Sequence, residues 1–299
     1  MKIAIIGGGS IGLLFSYYLN EYHEVTLYVR NPLQKEKIAS EGIVLQSKQN
    51  SAIADVQVKL ISEWGNHNEE LSIICVKQYQ LEGVLRNASL STNHPYLFLQ
   101  NGMGHLKRID QFNLSVAMVG TVEHGAYRVN ENVVVHTGVG RTNIAFYKGK
   151  NDELLHSFVK SSSNSFTFQI EDDYKFLLQK KLVVNALINP LTAVLKVNNG
   201  LLLENTHYFH VFNELFKEIK GILELEEEQV YYENTLNVCR NTSQNRSSML
   251  KDIEEGRQTE IDAILGYLIE EAEKRNMKAP IVTTLFHIIK GSEIERGGK

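Results

Sequence analysis

Short apolar runs alternate with helical patterns through the first half of the chain. The runs have the length of buried β-strands and fall at residues 3–6, 25–29, 73–76, 96–99 and 116–119. This alternation is typical of repeated strand–helix–strand units around a parallel sheet. Two shorter runs, at 133–136 and 143–146, flank a glycine-containing turn and predict a hairpin.

The pattern changes near residue 170. A polar tract at 161–165, a short strand-like run at 166–170 and an acidic stretch at 171–173 mark the change. Beyond it, apolar residues recur at intervals of three and four, as at Ile261, Ile264, Leu265 and Leu268. The sequence therefore predicts an α/β domain over residues 1–170, followed by an all-α C-terminal domain over residues 171–299.

The first predicted strand runs directly into a glycine-rich turn, and a helical pattern follows at once. The turn reads Gly7-Gly8-Gly9-Ser10-Ile11-Gly12, a G-x-G-x-x-G motif between strand and helix. Its first glycine allows the tight turn, its second lets a pyrophosphate approach, and its third permits close packing of helix on strand. A merely structural turn is the alternative. The motif predicts that residues 1–170 form a Rossmann-type dinucleotide-binding domain, with these six residues contacting the cofactor.

The end of the second predicted strand indicates which cofactor this domain binds. Arg30 and Asn31 stand where sites that prefer NAD carry an acid for the ribose 2′-hydroxyl. Because a guanidinium group suits a 2′-phosphate, we expect NADPH. A surface arginine is the alternative explanation, and the glycine turn alone is also compatible with FAD.

A polar stripe interrupts the apolar run at residues 180–193. Lys181, Asn185 and Asn189 are spaced by four and would line one side of a helix that Pro190 is expected to kink. Buried polar groups need partners, so the stripe is expected to face a polar cleft, although a solvent-facing stripe is the alternative. An amine beside an apolar wall gives up a proton more readily than one in water. Lys181 is therefore a candidate acid for protonating an alkoxide formed by hydride transfer.

Composition narrows the class of protein. The chain has 299 residues, 43% of them hydrophobic and 22% charged, which fits two folded domains and excludes wholesale disorder. A net charge of −4 disfavours nucleic acid and anionic membranes as partners. Cys75 and Cys239 lie far apart without metal-ligand spacing, so we expect buried thiols and no metal. The sequence shows neither a membrane-spanning run nor a signal-peptide cleavage region, and a cytoplasmic protein is expected.

Taken together, the motifs resemble the ketopantoate reductases (2-dehydropantoate 2-reductases) along essentially the whole chain. Besides the glycine turn, the matching segments are Val76-Lys77-Gln78-Tyr79-Gln80, Gln100-Asn101-Gly102-Met103-Gly104, the run from Lys181 to Ala193, Asn199-Gly200, Ser247-Ser248-Met249 and Thr259-Glu260-Ile261-Asp262. The block Lys-x-x-x-Asn-x-x-x-Asn-Pro-Leu-Thr-Ala is the most specific of them. The resemblance implies NADPH-dependent reduction of 2-dehydropantoate to pantoate, a step towards pantothenate and coenzyme A.

The resemblance also implies roles for individual residues. Lys181 would be the general acid, and Glu260 would anchor the substrate hydroxyl and orient that lysine. On the substrate side, Asn185, Asn189 and Asn199 would shape the pocket and Ser248 would contact the carboxylate. On the cofactor side, Arg30 and Lys77 would contact phosphates, with Gln80 nearby and Asn101 close to the nicotinamide ribose. The stretch Glu123-His124-Gly125-Ala126 departs from a threonine-rich stretch of many relatives, which leaves His124 with either a structural or a chemical role.

Other functions stay open at this point. A second two-domain, NADP-dependent dehydrogenase acting on another short 2-oxo acid would use the same lysine and hydride chemistry. A non-catalytic module that senses NADPH and binds a protein through its helical domain is the third hypothesis. Bland explanations also fit two of the candidate segments: Ser247 or Ser248 suits the N-cap of a helix, and Glu260 suits the first turn of another helix. A homodimer is left open too, because periodicity does not identify the helix faces that stay exposed.

Overall fold

In a computed structural model the chain divides into two compact units. The first comprises residues 1–100 and 105–177, and the second comprises residues 101–104 and 178–299. The structure describes residues 1–47, 51–65, 68–87, 90–161 and 166–297, so most of the predicted polar tract at 161–165 lies outside the described residues. The domain boundary placed between residues 170 and 171 stays a prediction.

The first unit is built on two β-sheets flanked by helices. Its strands are β1 (Lys2–Ile6), β2 (Glu24–Val29), β3 (Ile43–Gln46), β4 (Ser51–Ala54), β5 (Gln57–Leu60), β6 (Leu71–Ile74), β7 (Tyr96–Phe98), β8 (Ala117–Val122), β9 (Gly125–Arg128), β10 (Val133–Gly138), β11 (Arg141–Lys148) and β12 (Thr167–Ile170). Its helices are α1 (Ser10–Leu19), α2 (Pro32–Glu41), α3 (Gln78–Asn87), α4 (His105–Ile109) and α5 (Asp152–Lys160), with a 3-10 turn at Ile61–Glu63.

The main sheet has eight strands in the order β12-β11-β8-β7-β6-β1-β2-β5. Six adjacent strands of this sheet are parallel, in the order β5-β2-β1-β6-β7-β8. When these six are numbered among themselves along the chain, this is the 3-2-1-4-5-6 order of dinucleotide-binding folds. The antiparallel β11 joins this set at β8, and β12 pairs with β11. The predicted Rossmann-type fold is therefore confirmed. The direction of the chain across the sheet reverses between β1 and β6, where ligands of such folds bind at the carboxyl ends of the strands.

A second, smaller sheet corrects one prediction. Its order is β4-β3-β10-β9, with β10 parallel to β3 and antiparallel to β9. The hairpin predicted from the runs at 133–136 and 143–146 is wrong, because β10 belongs to this sheet while β11 pairs with β8 and β12 in the main one. Alternating apolar residues identified both strands, but alternation carries no information about the partner of a strand.

All regular secondary structure among the described residues of the second unit is helical. Its helices are α6 (Tyr174–Leu195, which begins in the first unit), α7 (Leu201–Glu204), α8 (Thr206–Leu223), α9 (Glu228–Asn241), α10 (Ser248–Glu254), α11 (Tyr267–Lys274) and α12 (Pro280–Gly297), with a π-helical segment at Asp262–Gly266. The buried residues of α8 recur every three or four positions, and this face packs against α11 and α12. The predicted all-α domain is confirmed. Within the described ranges, no helix is both long enough and apolar enough to traverse a lipid bilayer.

Candidate active site

The glycine turn joins β1 to α1 at the point where the sheet reverses. Gly7 has a φ of +113°, which favours glycine, and a Cβ there would lie 2.8 Å from Val76 Cγ1. A Cβ on Gly12 would lie only 1.7 Å from the Gly7 carbonyl oxygen. In contrast, a Cβ on Gly9 would meet no atom within 4 Å. The first and third glycines are thus required by packing, and the second leaves the backbone open to a ligand.

The N-terminus of α1 lies within this turn. Its N-cap is Gly9, which has no side chain to accept a hydrogen bond, and no acid occupies the first turn. Backbone N–H groups at a helix start that lack side-chain acceptors favour an anion, and the helix dipole acts in the same direction. The turn therefore has the chemistry expected of a diphosphate site.

Two side chains that the sequence did not indicate hold the turn in place. Gln34 Nε2 donates to the carbonyl oxygens of Gly8 and Glu131, at 2.8 Å each. Arg128 Nη1 donates to the same Gly8 oxygen at 3.2 Å, and the Arg128 backbone N–H donates to Ser10 Oγ at 3.0 Å. Contacts between residues so far apart in the chain leave no mark in the spacing of a motif.

The other predicted cofactor residues of the first unit lie at the ends of neighbouring strands. Arg30 is exposed directly after β2, and Lys77 is half-buried just beyond β6. Gln80 fixes the backbone there, because its Oε1 accepts the Lys77 N–H at 3.3 Å and its N–H donates to the Lys77 carbonyl at 2.9 Å. Since β2 and β6 both run parallel to β1, these residues share an edge of the sheet with the glycine turn.

The predicted polar stripe lies on α6. Lys181, Asn185 and Asn189 are half-buried, whereas Leu182 and Ala186 beside them are fully buried. The helix continues through Pro190 as one element. This spacing of four places the three polar side chains along one side of α6, as expected from the helical period. Their chemical roles stay predictions.

Glu260 is held at the start of the helix that follows it. Asn101 Nδ2 donates to Glu260 Oε2 at 2.8 Å, and the N–H groups of Ala263 and Ile264 donate to the Glu260 carbonyl at 3.0 and 3.1 Å. The structure thus brings Asn101, which was expected near the nicotinamide ribose, into contact with the predicted catalytic carboxylate. Both residues belong to the second unit.

Thr259, the residue before Glu260 in the chain, is also held in place by hydrogen bonds. Thr259 is buried, and both its N–H and its hydroxyl donate to Glu293 Oε1, at 2.8 and 2.7 Å. Lys290 forms ion pairs with Glu293 and with Asp262 at 3.1 and 2.9 Å. Although burial raises the pKa of Glu293, the Thr259 hydrogen bonds and then Lys290 keep that pKa below its usual value. The segment before the helix is therefore anchored to α12.

The remaining predicted substrate residues have mainly structural contacts. Ser247 is the N-cap of α10 and accepts the Leu250 N–H at 3.1 Å, while Ser248 is exposed at the first helical position. Asn199 is buried and donates to Thr242 Oγ1 at 2.8 Å, and its Oδ1 has no hydrogen-bond partner among the described residues. Substrate contacts by Ser248 and Asn199 stay predictions.

His124 belongs to a buried aromatic cluster of the first unit. Its Nδ1 accepts the Gly140 N–H at 3.2 Å and lies 3.2 Å from His136 Nε2, and His136 Nδ1 lies 2.9 Å from the Tyr18 hydroxyl. The His124 ring stacks on Phe166 with centroids 4.4 Å apart. Burial, and then the neighbouring His136, lowers the pKa of His124 to about 4. These contacts favour a structural role for His124.

Comparison with known proteins covers both halves of the chain. The family model described as "Ketopantoate reductase PanE/ApbA" matches residues 3–149, and the model described as "Ketopantoate reductase PanE/ApbA C terminal" matches residues 177–293. The chain belongs to the ketopantoate reductase family. Among curated proteins, it is 40% identical to 2-dehydropantoate 2-reductase of Bacillus subtilis (strain 168), over 98% of each chain.

Solved structures share the fold of this family member. A crystal structure of the probable 2-dehydropantoate 2-reductase panE from Bacillus subtilis has a TM-score of 0.90 and 40% identity, covering 98% of this chain and all of that one. A ternary structure of D-mandelate dehydrogenase with NADH and anilino(oxo)acetate also reaches 0.90, at 23% identity and covering 99% of this chain and all of that one. The second similarity shows the fold alone, so the fold is shared by enzymes with different substrates.

Proposed function

We propose that the protein catalyses the NADPH-dependent reduction of 2-dehydropantoate to pantoate. The similarity to the Bacillus subtilis reductase, which runs through both the glycine turn and the helical unit, carries this proposal. Reduction of a 2-oxo acid needs a hydride at the keto carbon and a proton at the keto oxygen. The two requirements are assigned to the glycine-turn edge and to Lys181, respectively.

The donors at the glycine-turn edge fit a phosphorylated dinucleotide. The open backbone at Gly9 and the start of α1 suit the diphosphate, and residues Gly7 to Gly12 would surround it. Arg30 follows β2 where an acid would select NAD, so its guanidinium group and the Lys77 amine suit the extra phosphate. NADPH bound here supplies the hydride. Gln80 would position Lys77 through the backbone hydrogen bonds described above.

The polar side chains of the second unit would hold the substrate. Lys181 donates a hydrogen bond to the keto oxygen and then transfers its proton to the alkoxide, leaving a hydroxyl group on the product. Glu260 accepts a hydrogen bond from the substrate's own hydroxyl. Asn185 and Asn189 contact the substrate along α6, Ser248 contacts its carboxylate, and Asn199 shapes the pocket from its buried position.

A panel of 2-oxo acids tests this function directly. The purified protein is assayed by the loss of NADPH absorbance with 2-dehydropantoate, with smaller aliphatic 2-oxo acids and with an aromatic 2-oxo acid. We expect a preference of at least about 100-fold in kcat/KM for 2-dehydropantoate, because a site built to bind a hydroxyl discriminates strongly. Equal rates across the panel would favour a dehydrogenase of another 2-oxo acid, and tight NADPH binding without turnover would favour a sensing module.

Two further properties are proposed with this function. A cytoplasmic location is expected of an enzyme that draws on the cellular NADPH pool. A homodimer is the second proposal, and light scattering of the eluted protein during size-exclusion chromatography distinguishes it from a monomer of 33.9 kDa.

A further inference from the structure

Gly102 makes an unusually close backbone contact within the second unit. Its φ is +78°, and a Cβ at this position would lie 2.0 Å from the Ala263 carbonyl oxygen and 2.9 Å from the Ala263 carbonyl carbon. No side chain fits at such distances, and other residues rarely adopt this φ. The loop at residues 101–104 can therefore approach the backbone of Ala263 only because residue 102 is glycine.

Ala263 lies in the part of the helix that fixes Glu260. It is the second residue of the π-helical segment Asp262–Gly266, in which the Tyr267 N–H donates to the Asp262 carbonyl five residues earlier. The Ala263 N–H itself donates to the Glu260 carbonyl at 3.0 Å. Wide turns of this kind recur at functional sites, where they displace the residues beside them from regular helical geometry. A shift of Ala263 would thus be transmitted to Glu260 through one hydrogen bond.

The neighbour of Gly102 contacts the same turn through its side chain. Asn101 Nδ2 donates to Glu260 Oε2 at 2.8 Å. Because Asn101 and Gly102 are consecutive, and Glu260 and Ala263 lie on one turn, the loop is attached at two points. One attachment is backbone against backbone, and the other is an amide on the carboxylate itself. The backbone contact sets how far the Asn101 amide reaches.

We propose that Gly102 is a positioning residue that seats Asn101 against Glu260 and thereby sets selectivity for a substrate carrying a hydroxyl group. The inference rests on the proposed function and deepens it. Gly102 touches neither substrate nor cofactor in this scheme, and it acts only through the placement of the Glu260 carboxylate. A carboxylate that is correctly placed for the substrate hydroxyl penalises an analogue that lacks the hydroxyl, since the hydrogen bond between that hydroxyl and the carboxylate is then lost.

The test compares two substrates that differ by one oxygen atom. These are 2-dehydropantoate and 3,3-dimethyl-2-oxobutanoate, which is the same acid without the hydroxyl group. The ratio of their kcat/KM values is measured at saturating NADPH for the wild-type protein, Gly102→Ala, Asn101→Ala and Gly291→Ala. Gly291 is the matched control, because it lies in α12 of the same unit and its added Cβ would meet no atom within 4 Å.

We expect the ratio to fall about tenfold or more in Gly102→Ala and in Asn101→Ala, and to stay at the wild-type value in Gly291→Ala. An equal loss of kcat/KM on both substrates would mean a merely structural role and would overturn the proposal. Should Gly102→Ala not fold, Asn101→Ala carries the test, because it removes an amide without adding a clash; an unchanged ratio in that variant overturns the proposal. A wild-type protein with no preference for the hydroxylated acid refutes the proposed function itself, and this inference with it.

Discussion

Acid should destabilise the first unit through His124. Burial and the neighbouring His136 hold the pKa of this imidazole at about 4, well below its ordinary value. The Gly140 N–H points at His124 Nδ1, so a proton there would face a donor instead of an acceptor. The neutral ring is therefore part of the folded structure, and protonation favours the unfolded chain.

The size of the effect follows from proton linkage. An unfolded chain has an ordinary histidine pKa of about 6.5, so it takes up the proton first as the pH falls. The stability that His124 contributes is complete above that value and is lost progressively between about pH 6.5 and about pH 4. At about pH 5 the loss amounts to about 2 kcal/mol of the free energy of unfolding. His105 is fully buried, and burial lowers its pKa to about 4, so it adds a loss of the same order.

Replacing His124 with phenylalanine isolates its share. His124→Phe keeps a ring against Phe166 but removes the titrating nitrogens, and it lowers stability at every pH because the Gly140 N–H loses its acceptor. The informative quantity is thus the difference in unfolding free energy between about pH 7.5 and about pH 5. Urea titration followed by tryptophan fluorescence measures it, because Trp64, the one tryptophan in the sequence, is buried in the first unit.

We expect this difference to be about 2 kcal/mol smaller in His124→Phe than in the wild-type protein. His156→Phe serves as the control, since it makes the same substitution at an exposed position on α5 of the same unit. The reasoning is refuted if His124→Phe and the wild-type protein lose the same stability on acidification.

Three further substitutions test the assigned chemistry. Lys181→Ala should lower kcat about a thousandfold, measured by steady-state kinetics, while the Kd for NADPH, measured by fluorescence titration, stays nearly unchanged. A comparable loss of affinity for NADPH would contradict an acid role. Arg30→Ala should raise the Kd for NADPH at least about tenfold without changing that for NADH, and equal losses would remove the assignment to the 2′-phosphate. Gly12→Ala should destabilise the first unit by about 3 kcal/mol, since its Cβ would lie 1.7 Å from the Gly7 oxygen. Gly83→Ala, in open space on α3, should be neutral or stabilising in the same urea titration, and equal effects would refute the packing argument.

The parallel core was predictable because its strands are buried on both faces. Such strands appear as continuous apolar runs, and the glycine turn identifies the first of them. The small sheet was not predictable in the same way. Its strands β4 and β9 have four residues each and are largely exposed, so neither shows the longer apolar run of a strand that is buried on both faces. The hairpin prediction was wrong for a related reason, because the partner of a strand is decided by the whole sheet.

In the candidate site, too, features set by neighbouring residues were predictable from the sequence, and contacts between distant residues were not. Local spacing placed Lys181, Asn185 and Asn189 on one side of α6, because the helical period is a property of neighbouring residues. The hydrogen bond from Asn101 to Glu260 joins residues 159 positions apart. No periodicity spans that interval, and the resemblance to the family assigned the two residues to different ligands. Contacts of this kind follow from tertiary packing alone.

The parallel pairing of β3 with β10 has a consequence for folding of the chain during its synthesis on the ribosome. Asn132 Nδ2 donates to the Gly42 carbonyl across 90 residues of chain, at the start of this pairing. The small sheet cannot close until β10 has left the exit tunnel, whereas β1, α1 and β2 emerge much earlier. Long-range pairing of this type is slow to form. The Arg128 and Glu131 contacts that fasten Gly8 are therefore among the last of the nucleotide turn to mature during translation.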